Sequence, residues 1–113
     1  MNRTVRLELV NAAGQAPVAG QVVLALAIAC GTGPLAAERL RRSAEAAAVA
    51  ATGGLTIHAE AQRGKLALAF SAAPEDGWAD RAFPILEPHG AVRTPDGIDI
   101  RLERPALHRA PDV

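Results

Sequence analysis

The chain has 113 residues, enough for one domain with one core, and its 12 basic and 12 acidic side chains cancel. Charge scattered in this way offers no basic stripe to neutralise phosphates, which argues against a primary nucleic-acid role. Half of the residues are hydrophobic but 26 of them are Ala, so the expected core is thin, aliphatic and nearly free of aromatics.

A single cysteine, Cys30, excludes an internal disulfide and any cysteine-based zinc cluster, and its place at the end of an apolar run suits a small buried hydrophobe. The opening MNRTVRLELV has no signal-peptide core, and the apolar run 18–29 is too short and too punctuated to span a bilayer. A cytoplasmic protein without a membrane partner is the expectation.

In chain order, residues 4–10 alternate as a strand with Val5, Leu7 and Leu9 on one face and Arg6 and Glu8 on the other. Gly14, Pro17 and Gly20 mark a ten-residue connection. Residues 21–29 then read as a central strand, because Val22, Leu24, Leu26 and Ile28 oppose an equally apolar Val23, Ala25 and Ala27. Past the break at 31–34, strong helix formers predict a short helix over 35–43, while 44–51 suits either helix or strand.

Thr52-Gly53-Gly54 turns the chain into a strand with Leu55, Ile57 and Ala59 inward. Gln62-Arg63-Gly64 turns it into another with Leu66, Leu68 and Phe70 inward. An acidic loop over 72–80 carries the only tryptophan, and 83–87 reads as an edge strand interrupted by Pro84. Val92 starts a brief strand. Ile98, Ile100 and Leu102 form the inner face of a last one, with Asp99, Arg101 and Glu103 outside. Six or seven short strands with regular turns predict an all-β fold, an antiparallel six- to seven-stranded β-sandwich carrying the helical insertion at 35–43. Residues 1–104 form the expected domain and 105–113 a flexible tail.

The ordered set Gly14 to Gly20 with Pro17 and Val18, Val22 to Leu26, Thr52-Gly53-Gly54-Leu55, Gly64-Lys65-Leu66 and Ile98 to Leu102 resembles the carboxypeptidase regulatory-like, prealbumin-type family of β-sandwich domains. It departs from that pattern by one extra residue between Gly14 and Pro17, by Leu66 in place of an aromatic, and by the insertion at 31–51. The resemblance implies a non-catalytic module. The hydrolase sharing the transthyretin shape relies on a tyrosine-containing motif, and this chain has no tyrosine.

No catalytic constellation emerges. His58, His89 and His108 have no metal-ligand spacing, so neither metal nor cofactor is expected. Trp78 with Glu75, Asp76 and Asp80 joins an apolar anchor to a charged rim and is the candidate binding set. The expected function is that of a structural or protein–protein interaction subunit of a larger assembly, with self-association through strand edges as one form of it. A carbohydrate- or small-ligand-binding module built on the Trp78 loop is the alternative.

Overall fold

Four of the alternating stretches are strands with the expected faces inward. In the computed structural model, which describes residues 2–73 and 76–103, β1 (Asn2–Leu9), β2 (Leu55–Gln62), β3 (Lys65–Ser71), β4 (Val92–Arg93) and β5 (Gly97–Glu103) form one sheet. Its order is β1-β2-β3-β5-β4, and every neighbouring pair is antiparallel. Leu9, Leu55, Ile57, Leu66, Leu68, Phe70, Ile98 and Ile100 are buried on one face.

No second sheet covers that face. Three helices do: α1 (Ala16–Ala29), α2 (Pro34–Val49) and α3 (Trp78–Leu86). The expected all-β, six- to seven-stranded sandwich is therefore corrected to a two-layer α/β fold of five strands and three helices.

The largest correction is at 21–29, which is helix rather than central strand. Period two could not settle this stretch, because both of its faces are apolar. Period 3.6 does, since Ala16, Ala19, Gly20, Val23, Leu26 and Ala27 make one buried stripe. Pro17 sits in the first turn, where its missing N–H costs nothing. At the other end Gly31 takes φ 94°, the Gly31 N–H bonds the Ile28 carbonyl and the Thr32 N–H bonds the Ala27 carbonyl. That pair of bonds is a Schellman stop, which closes a helix and not a strand.

The insertion helix is longer than 35–43. α2 continues through the undecided 44–51 region to Val49, burying Ala37, Leu40, Ala44, Ala47 and Ala48. Residues 83–87, expected as an edge strand, fall mostly in α3, where Trp78, Ala82 and Leu86 recur every four residues on the buried side. Pro84 lies inside this nine-residue helix, where it supplies no N–H for the carbonyl four residues before it. Residues 105–113 lie outside the described residues.

Small residues let the two long helices approach. Gly20 of α1 abuts Glu45 of α2, and a Cβ there would lie 2.5 Å from Glu45 Cγ. α1 makes its main contact with α2 and also touches β2; α2 touches α3, which reaches β5. The helix layer thus runs α1-α2-α3 from the β1 side of the sheet towards the β5 side.

Candidate interaction surface

The tryptophan loop is a clamp on the end of α2. Trp78 is 1% exposed, its ring stacks against Phe70 with centroids 6.2 Å apart, and its Nε1–H donates to the Ala47 carbonyl at 2.7 Å. Ala47 holds one of the last four carbonyls of α2, which have no partner within the helix. Arg81 serves a neighbour, its Nε–H donating to the Ala50 carbonyl at 2.9 Å. The indole is thus placed as the loop's anchor to the fold, and its ring is not presented as a platform for a sugar or a partner.

The three carboxylates expected beside it have separate positions. Asp76 accepts from the Thr52 hydroxyl and from Arg81 Nη2, and its side chain is only 6% exposed. Those bonds, Thr52 first, hold its carboxyl below the ordinary aspartate range. Asp80 faces away and pairs with Arg93 at 2.9 Å, 79% exposed. Glu75 lies outside the described residues. Trp78 and Asp76 are therefore brought together in one structural clamp, while Asp80 tethers α3 to β4.

A second charged group lies along α2. Glu38 and Glu45 both bind Arg41, and Arg42 adds a longer contact of 3.3 Å to Glu38. The hydrogen bond from Arg41 holds the Glu38 carboxyl down to about 2. A depressed folded-state value gives stability that is complete above the unfolded value, near 4.5, and lost as pH falls toward 2. Glu38→Gln should accordingly flatten the fall of the urea midpoint with acid across that window. A variant curve parallel to wild type would show that the pairing carries no stability.

The sheet face away from the helices is open. Ala67 and Ala69 of β3 form the floor of a shallow trough of about 420 Å³, walled by His58, Glu60 and Gln62 on β2 and by Asp99, Arg101 and Glu103 on β5. Its charges alternate in sign. His58 Nε2 is 3.7 Å from Glu60. His89 is elsewhere, bonded to Ser43 at 2.8 Å, and burial lowers its pKa; His108 lies outside the described residues. Among the described residues no group of three His, Cys, Asp or Glu could hold a metal ion. Cys30 is buried, its Sγ 3.1 Å from the Lys65 carbonyl, and burial raises the thiol's pKa.

The side of the molecule formed by β1 and α1 is different in kind. β1 is an edge strand of eight residues, paired with β2 without a bulge and containing neither Pro nor Gly. Among the described residues no strand pairs with its outer edge, which is guarded by the charges of Arg3, Arg6 and Glu8 and by no proline or bulge. The opposite edge, β4, is only two residues long.

Beside β1 runs α1, fourteen residues without a charge. Leu26 and Ala29 of α1 line a small cleft with Arg3 of β1, while Gly20 faces α2. The stripe Val18, Val22, Ala25 and Ala29, at i, i+4, i+7 and i+11, therefore lies on the β1 side of the helix. Val18 is 47% exposed, Ala25 and Ala29 are exposed and Val22 is half-buried; Ile28, next to the stripe, is 53% exposed.

Sequence reasoning missed this surface, because assigning 21–29 to a buried strand placed the same residues inside. The usable signal was the absence of any charge over fourteen residues bracketed by Pro17 and Gly31. No family model matches the chain, and no curated protein matches it either. No helix among the described residues is long and apolar enough to cross a membrane.

Proposed function

We propose that the chain is a non-catalytic interaction subunit that docks to protein through the side formed by β1 and α1. One observation carries this reading. α1 carries no charge and a single polar side chain, the exposed Gln21, yet Val18, Ala25, Ile28 and Ala29 also face solvent. The neighbouring free edge of β1 offers backbone donors and acceptors to the same partner, the arrangement by which strands are added to sheets.

Ala25→Glu tests it. The substitution puts a charge in the middle of the exposed stripe without touching the core, so the chain should stay folded with the wild-type far-UV spectrum. Association, measured by gel filtration of the pure chain and by affinity capture from extracts of the source, should fall by tenfold or more, that is by about 1.4 kcal/mol. A wild-type chain that is monomeric and recovered alone would refute the proposal. So would an Ala25→Glu chain that keeps its assembly.

A further inference from the structure

We infer that the occupant of this side is a second copy of the chain, joined by antiparallel pairing of β1 with β1 across a twofold axis. This rests on the interaction reading above and specifies its partner. A twofold perpendicular to the sheet keeps the helix-covered faces of both copies on the same side, so two five-stranded sheets would join into one of ten strands.

The charge pattern of β1 selects the register. Directly opposite residues of an antiparallel pair share a face, so the axis must pass through a residue that meets itself. Centred on Val5, the pairing sets Arg6 against Thr4 and Glu8 against Asn2, with no ion pair. Centred on Arg6, it sets two guanidinium groups against each other. Centred on Leu7, it sets Arg6 of each copy against Glu8 of the other, twice, and Val5 against Leu9. Opposite charges directly across a ladder are favourable and like charges are not. The two side chains are available for this, being 63% and 65% exposed, and within one chain they already bond at 2.7 Å.

The helix layer agrees with that register. α1 touches β2, and its C-terminal end borders Arg3 of β1, so it runs back along the β1–β2 pair. Leu7 lies four residues along β1 from Arg3, a rise of about 14 Å. The same distance measured along α1 from Ala29 is about nine residues, which reaches the turn between Val18 and Val22. The axis that pairs Arg6 with Glu8 thus lies level with the Val18–Val22 turn of α1 in both copies.

Sedimentation velocity on the purified full-length chain tests the inference. Wild type should sediment as a species of twice 11.7 kDa. Arg6→Glu and Glu8→Arg should each sediment as monomers that keep the wild-type far-UV spectrum, because each places like charges opposite one another at two positions. An equimolar mixture of the two variants should recover the dimer, since every cross-strand pair is then of opposite charge. A monomeric wild type overturns self-pairing; if that monomer still captures a partner that Ala25→Glu loses, the interaction reading survives with a different occupant. Dimers that both single reversals leave intact, or single reversals whose mixture stays monomeric, overturn the assigned pairing.

Discussion

Trp78→Ala is expected to lower the unfolding free energy by about 3–5 kcal/mol, as truncations of fully buried aromatic side chains do. The indole is 1% exposed against Phe70, and it also supplies the donor for the Ala47 carbonyl near the end of α2. Removing it opens a cavity and orphans a buried acceptor together. Trp78→Phe separates the two contributions, since it refills part of the volume and restores no donor. Urea unfolding of both variants measures the effect. A loss under about 1 kcal/mol for Trp78→Ala would mean that the indole is not the anchor described here.

Gly97→Ala should be nearly as damaging, by more than about 3 kcal/mol, for a reason of backbone and not of side chain. Gly97 opens β5 opposite Ser71 of β3. A Cβ on it would lie 1.9 Å from the Phe70 carbonyl oxygen, with the Phe70 carbonyl carbon and Ser71 Cα at 3.0 and 3.1 Å. No flexible side chain can yield there, so β3 and β5 must separate locally. Gly53→Ala is the control, because a Cβ at Gly53 meets nothing within 4 Å. Equal melting temperatures for the two variants would show that the strands do not approach as closely as described.

What could be read from the residues follows from where the two periods differ. β1, β2 and β5 set charged or polar residues against aliphatic ones, and β3 sets Lys65, Ala67, Ala69 and Ser71 against Leu66, Leu68 and Phe70, so alternation identified both the strands and their inner faces. The turn at Gly64 was equally plain, and its φ of 77° explains the glycine. α1 was illegible by alternation because no position from Val22 to Ala29 is polar, and a stretch without contrast has no period. Its length and its flanking Pro17 and Gly31 held the answer. In α3, Pro84 suggested an edge strand and outweighed the spacing of Trp78, Ala82 and Leu86. Once α1 and α3 replaced two strands, the expected sandwich lost its second sheet, and the tryptophan became a clamp on α2.

The acidic loop was thus recognised as distinctive, while the bonds its side chains make within the fold were not legible. Asp76, expected in the rim of the candidate binding set, ties Thr52 and Arg81 together around the end of α2. The stripe and the strand edge that α1 and β1 expose lie on the other side of the helix layer.

Amide hydrogen exchange along β1 tests that claim most directly. In an isolated sheet the amides of Asn2–Leu9 fall into two classes, those bonded to β2 and those directed at the free edge. If the β1–α1 side is an interface, the edge-directed amides are protected to the same degree as their neighbours when the chain is assembled, and they lose that protection on dilution or in Ala25→Glu. Edge-directed amides that exchange freely at every concentration, with the assembly intact, would contradict the account.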